Sequence, residues 1–179
     1  MSKKVLIFSG SPRKGGNTDL LCDQFLLGAS EAGNEAEKIF VNEKSIAYCD
    51  ACATCYSKKM PCVKSDDMTE IIEKMMAADV IVMGTPVYFY SMSGQMKVLI
   101  DRTISDFLKI RDKEIYIILA AHSTDKVAME KVLAGFRGYM ACLPGAKESG
   151  IVYGLGVFDA GEIKESPAMG EAFEMGKSV

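Results

Sequence analysis

Residues 4–18 read KVLIFSGSPRKGGNT. The apolar run Val5–Phe8 is too short for a helix and too continuous for a half-exposed strand, so it predicts a strand buried on both faces. It ends at once in a loop of Ser, Gly, Pro and basic residues. After the loop, Leu20, Leu21, Phe25 and Ala29 fall near helical spacing over 18–32. A buried strand, a polar loop and an amphipathic helix make the first half of a βα unit, and the same grammar recurs down the chain. Further strand-like runs are AEKIFV (36–41), DVIVMG (79–84), EIYIILAA (114–121) and GIVYG (150–154). Helical patterns fill the gaps. Segment 67–78 opens on Asp67 with Glu70 three residues on, a capping-box variant, and carries Ile71, Ile72, Met75 and Met76. Segment 93–109 sets Met96, Leu99, Ile100, Ile104 and Phe107 on one side, and segment 125–141 carries Val127, Val132, Leu133 and Phe136. Alternation of this kind predicts an α/β fold whose five strands form a parallel sheet with right-handed crossovers. After Gly154 the chain is Gly-rich and then polar, and Ser166-Pro167 reads as the N-cap and first residue of a short final helix.

The bulk properties agree with one domain spanning 1–179. Of the 179 residues 49% are apolar and 25% charged, with a net charge of −3, so neither disorder nor a nucleic-acid surface is indicated. The apolar run near the N-terminus is shorter than the roughly 7–15 residues of a secretory signal, and no run approaches the roughly 20 of a membrane-spanning helix. The expectation is a cytoplasmic protein. Its six cysteines would then serve metal or redox chemistry rather than structural disulfides.

In open parallel sheets ligands bind beyond the carboxyl ends of the strands, at the switch in strand order. Three loops therefore belong together: 9–18, 84–94 and 120–124. The first, SGSPRKGGNT, lacks the second glycine of GxGxxG. It also has Gly16-Asn17 where a Walker loop has Lys-Ser/Thr, which weakens dinucleotide and NTP-hydrolase readings. What remains is a hydroxyl-rich cradle at a helix start. Ser9, Ser11 and Thr18 offer hydroxyls, Asn17 an amide and Arg13 a charge, a set that suits a phosphate monoester. An ordinary turn with Asn17 as N-cap stands beside that reading.

GSPRKGGNT together with the later PVYFYSMSGQMKVLIDR resembles the flavodoxin-like NADPH-dependent FMN reductase family. The resemblance implies a three-layer sandwich with sheet order 2-1-3-4-5. It also implies an FMN phosphate held by Ser9, Ser11, Arg13, Asn17 and Thr18, and a flavin ring lying along Pro86, Val87, Tyr88, Phe89, Tyr90 and Ser91. Three consecutive aromatics at a strand end have little reason to face water, and some are expected against a partner subunit. His122, the only histidine, ends the fourth strand. Two readings stay open: a tuning residue at the flavin edge, or a loop residue without a role. Asp101 and Arg102 are read as structural, with Lys97 and Asp101 as a surface pair.

No Ser-His-Asp set or carboxylate pair falls at these strand ends, which fits an enzyme whose cofactor does the chemistry. By the resemblance, NAD(P)H would reduce the flavin and a quinone, free flavin or similar acceptor would take the electrons.

The remaining motif is C49-x2-C52-x2-C55-x6-C62. Three crowded thiols and a fourth nearby suit a cubane cluster better than zinc, although the last gap is longer than in the ferredoxin run. With the following VKSDDM, the pattern resembles the iron–sulfur flavoprotein branch of the same family. That implies a [4Fe-4S] cluster on Cys49, Cys52, Cys55 and Cys62. A loop of free, oxidisable thiols, acting as a redox sensor, stands as the alternative. Lys58, Lys59 and Lys64 are either a solvated face or a contact for an acidic carrier such as ferredoxin. Cys22 and Cys142 are expected in the core. A homodimer or larger assembly is expected, to cover the aromatic loop and the tail.

Overall fold

β1 (Lys4–Ser9), β2 (Glu35–Phe40), β3 (Val80–Pro86), β4 (Glu114–Ala121) and β5 (Lys147–Leu155) form one parallel sheet in the order β2-β1-β3-β4-β5. They are joined and covered by α1 (Asn17–Glu31), α2 (Thr54–Lys58), α3 (Met68–Ala77), α4 (Gly94–Arg102), α5 (Glu130–Met140) and α6 (Ala168–Lys177). The computed structural model describes residues 2–179. Order 2-1-3-4-5 sends the chain outward from β1 to β2, then back across to β3. The loops after β1 and β3 therefore part company at the switch point, where a crevice opens.

The alternation of side chains along each strand explains the three layers. Leu6, Phe8, Met83 and Ile117 face Met75 of α3, Leu99 of α4 and Phe136 of α5. Ile7, Val82 and Ile118 face the other way, onto Phe25 of α1 and Ala172 of α6. Every one of these positions is fully buried or nearly so.

Several sequence expectations are adjusted. The predicted helix over 93–109 stops at Arg102 and continues as two short 3-10 turns, Thr103–Ser105 and Phe107–Lys109. Ile104 accordingly leaves the core and is exposed. Val127 lies in a 3-10 turn before α5 and is exposed too. Cys142 is not a core residue: it follows the last turn of α5 and faces solvent, whereas Cys22 is fully buried. α5 ends at Met140, so the helical period that would turn Cys142 inward does not reach it. β5 starts three residues earlier than its apolar run, because Lys147, Glu148 and Ser149 lie exposed on an edge strand and carry no hydrophobic signal.

The tail folds back on its own subunit. Ser166 Oγ accepts from the N–H of Ala168, as a cap should, and α6 then packs along α1. Two glycines set the approach. A Cβ on Gly28 would collide with the Phe173 carbonyl, and one on Gly176 with the Phe25 carbonyl. Burial of the tail therefore needs no partner subunit.

Candidate functional site

The loop after β1 is organised by a residue that was not nominated from sequence. Asp19, on the first turn of α1, accepts from the Gly15 N–H at 2.9 Å and from Lys38 Nζ at 2.8 Å. Burial pushes its carboxyl upward, but Lys38 and the Gly15 N–H outweigh burial and hold it below the usual carboxylate range. Gly15, at φ 68°, supplies the left-handed step that lets the chain enter the helix. Gly16 N then donates to Arg13 O at 3.0 Å. Asp19 lies three residues after the Gly16 N-cap, as in a capping box, but reaches one residue further back, to the Gly15 N–H, so no capping-box pattern marks it in the sequence.

A second strut joins the loops after β1 and β3. Ser93 is fully buried. Its Oγ donates to Gly10 O at 2.7 Å and accepts from Met96 N, while its own N–H donates to Thr85 Oγ1. The N-cap of α4 thus holds the two strand-end loops in fixed relation.

Between them lies a cavity of about 160 Å³ lined by the β1 loop, the β3 loop, the end of β4 and the tail. Of the sequence-nominated residues it brings together Ser11, Arg13, Asn17, Thr18, Pro86, Val87, Tyr88 and His122. Ser9 sits behind them, fully buried, its Oγ without a hydrogen-bond partner. Phe89, Tyr90 and Ser91 are not part of the lining. They form a two-residue hairpin turn, in which Tyr88 and Ser91 exchange N–H···O bonds of 3.0 and 2.9 Å. Phe89 is fully exposed at its tip.

The tail supplies what sequence reasoning missed. Val157 and Phe158 close one side of the cavity, and the Phe158 ring meets His122 edge-on at 5.6 Å. Arg13 Nη1 donates to Phe158 O at 3.2 Å. Asn17 donates to Asp159 O and accepts from the N–H groups of Gly161 and Ile163. In this structure Asn17 therefore binds the tail rather than standing free as an anion ligand. Ser11 is likewise engaged in its own loop, bonding the Arg13 backbone on both sides. No local pattern marks residues 157–161 as site residues, because only the return of the tail brings them there.

The residues fit a phosphate-bearing ligand. The first-turn N–H groups of a helix such as α1 lack intrahelical partners, and Asn17 and Thr18 of that turn line the cavity. A Cβ at Gly16 would press on Arg13 at 3.0 Å, so the loop requires a bare backbone there.

Residues 3–145 match the sequence profile described as NADPH-dependent FMN reductase. The chain belongs to this family. Within the family it is similar to an iron-sulfur flavoprotein of Methanosarcina thermophila, 42% identical over 101 residues, covering 56% of this chain and 52% of the relative. It is also similar to iron-sulfur flavoprotein MJ1083 of Methanocaldococcus jannaschii, 43% identical over 100 residues, covering 56% and 51%. The chain spans about half the length of the curated relatives it matches. In fold it resembles the NAD(P)H:quinone oxidoreductase of Methanothermobacter marburgensis, with a TM-score of 0.80 at 17% identity over 99% of this chain and 96% of that one.

The cysteines of this FMN reductase family member stand apart from the cavity. Cys49 and Cys52 are exposed, Cys55 and Cys62 half-buried, and all six cysteines of the chain are free thiols. Among the described residues no three His, Cys, Asp or Glu side chains gather closely enough to hold a metal ion. The donor set suits a cluster in kind and spacing, but the loop as folded does not assemble it. Ala51, Ala53 and Lys59 all adopt left-handed φ near 50°, so the short α2 is held between strained residues. Both ends of the loop are fastened. Asp66 accepts from Ala47 N, Met68 N and, at 2.5 and 3.0 Å, from both Nη atoms of Arg102, and Asp67 accepts from Ser45 N. Arg102 Nη2 also lies 3.6 Å from Cys62 Sγ. Asp101 pairs with Lys97 on the surface at 2.5 Å.

Proposed function

We propose that the chain is an FMN-dependent oxidoreductase that accepts reducing equivalents from NAD(P)H and passes them to a quinone, flavin or similar acceptor. One observation carries this: a single cavity at the switch point gathers a helix N-terminus, a hydroxyl-lined loop and the aromatic β3 loop. Bound FMN would supply hydride and electron transfer there. Thr18, the first-turn N–H groups of α1 and Arg13 would hold the phosphate, with Ser9 and Ser11 supporting the loop. Pro86, Val87 and Tyr88 would lie along the ring, while His122 and Phe158 close its far edge. Tail residues 157–163, fastened by Asn17, exclude water from that side. The exposed turn at Phe89 and Tyr90 would meet a second copy of the chain.

The test is the flavin. Purified or reconstituted protein should bind FMN and release it on denaturation. Arg13→Ala should weaken binding by about tenfold, the order expected for one charge-assisted contact. Retention of FAD, or failure to bind any flavin, would overturn the assignment. Turnover with NAD(P)H and a quinone separates an enzyme from a thiol or flavin sensor.

A second reading, an iron–sulfur flavoprotein exchanging electrons with a carrier such as ferredoxin, is favoured by the four-cysteine loop and by the names of the relatives. It requires the strained loop to refold so that Cys49, Cys52, Cys55 and Cys62 converge. Anaerobic protein should then contain iron and sulfide near four per chain, lost in Cys55→Ser with FMN retained. Iron-free protein after anaerobic reconstitution would exclude it.

A further inference from the structure

The carboxylate that shapes the loop after β1 brings a second residue into the site's chemistry. Asp19 and Asp23 stand one turn apart on α1, a like-charged spacing that is unfavourable by itself. Lys38 reaches in from β2 and bridges them, with Nζ 2.8 Å from Asp19 Oδ1 and 2.5 Å from Asp23 Oδ1. Asp23 is half-buried, so water answers part of its charge. Asp19 is buried, and among the described residues its one ion pair is with Lys38. Burial pushes the Lys38 ammonium downward, but Asp19 and Asp23 outweigh burial and hold it above the usual lysine range, so the lysine is charged.

The place of Asp19 makes that charge matter. Gly16, Asn17 and Thr18 line the switch-point cavity, whereas Asp19, the next residue, does not. It acts on the loop from behind, through the 2.9 Å bond from the Gly15 N–H to its Oδ2. A loop fit for a phosphate is therefore shaped by a buried carboxylate. Left unanswered, that carboxylate would repel the phosphate, and away from bulk water the repulsion is weakly screened. With Lys38 in place the Asp19–Lys38 pair is neutral, and the loop keeps its shape without opposing an anion.

We propose that Lys38 is a positioning and specificity residue, which by cancelling the charge of Asp19 sets the preference of the site for FMN over riboflavin, the same ring without the phosphate. The inference rests on the flavin reading above. A lysine that merely ties β2 to α1 would make no such distinction.

The probes are FMN and riboflavin, titrated by flavin fluorescence into the full chain freed of flavin, at pH 8, well above the carboxylate range. Wild type should bind FMN more tightly than riboflavin. Lys38→Met should bind FMN about tenfold weaker, the order expected for one buried charge left unanswered near the phosphate, with riboflavin affinity unchanged. Lys38→Gln, which keeps a neutral donor for Asp19, carries the same expectation and is read if the methionine variant fails to fold. Adding Asp19→Asn to either variant removes the charge and keeps an oxygen for the Gly15 N–H. It should bring FMN affinity back to within about threefold of wild type. Equal loss for FMN and riboflavin, no loss for either, or a double variant as weak for FMN as the single lysine variant would overturn the inference while the wild-type preference for FMN stands. A wild type that binds no FMN, or binds it no more tightly than riboflavin, would overturn the flavin reading as well.

Discussion

Asp66 shows how much one carboxylate can organise. It joins Ala47 on the approach to the cysteine loop, the first turn of α3 and the guanidinium of Arg102, and with its partner its side chain is almost wholly buried. Burial pushes its carboxyl upward, yet Arg102 and the backbone N–H groups outweigh burial and hold it below the ordinary value. A depressed carboxylate contributes stability that is fully present above its unfolded pKa, roughly 3.9. That contribution is lost as pH falls through the lower folded value. Asp66→Asn leaves Arg102 buried without its counter-charge and should cost about 3–5 kcal/mol, read by urea denaturation at neutral pH. The wild-type advantage over the variant should shrink as pH is lowered below 4. A variant within about 0.5 kcal/mol of wild type at pH 7 would show that the pair contributes little.

At the scale of elements, the hairpin turn between β3 and α4 is the most informative. Phe89 and Tyr90 hold φ of 50° and 59°, the left-handed pair that a type I′ turn demands and that Asn-Gly supplies without strain. Two bulky aromatics there cost on the order of 1–3 kcal/mol each. Phe89 gains nothing from burial in the single chain, and Tyr90 is only half-buried, with Lys131 Nζ over its ring at 4.6 Å. Replacing Phe89-Tyr90 by Asn-Gly should therefore stabilise the isolated chain by about 1–2 kcal/mol, measured by thermal melting. The same change should reduce self-association in sedimentation if the turn meets a second copy. α1 and α6 show the opposite economy, with glycines spent on close approach. Gly176→Ala drives a methyl into the Phe25 carbonyl and should cost about 1–3 kcal/mol or more, visible as a lowered urea midpoint.

For the whole molecule, the tail is a structural layer and not an appendage. Ala168 and Ala172 are buried against Leu21 and Phe25, and Ile163 is fully buried in the same cluster. Ending the chain after Leu155 would strip that cover from one face of the sheet and remove Val157 and Phe158 from the cavity. The truncated chain should be aggregation-prone or bind a hydrophobic dye strongly, because a contiguous apolar face is left to water. A truncated chain that stays soluble, melts as wild type and binds FMN unchanged would show the tail to be dispensable. Among the described residues no helix is long and apolar enough to cross a membrane.

The sheet and its cover were legible in the sequence because hydrophobic period is a local property. VLIF, VIVM and IYIIL declare strands buried on both faces, and the loops that follow them declare the crevice. Alternation alone put the loops at 9–18 and 84–94 at the same edge of a parallel sheet; that they are neighbours depends on β1 pairing with β3. Tertiary structure alone decided the rest, since the deciding contacts join residues far apart in the chain. Asn17 became a fastener for the tail because Asp159, Gly161 and Ile163 return to it across more than a hundred residues. Phe89 was left in solvent because a two-residue turn points its tip away from the cavity, a matter of backbone handedness that side-chain type does not reveal. Arg102 reads in sequence as structural, but the sequence does not say that it is buried with Asp66 on one side and Cys62 on another. Charge is cheap at a surface and costly in a core, and only the packed molecule says which of the two a given arginine occupies.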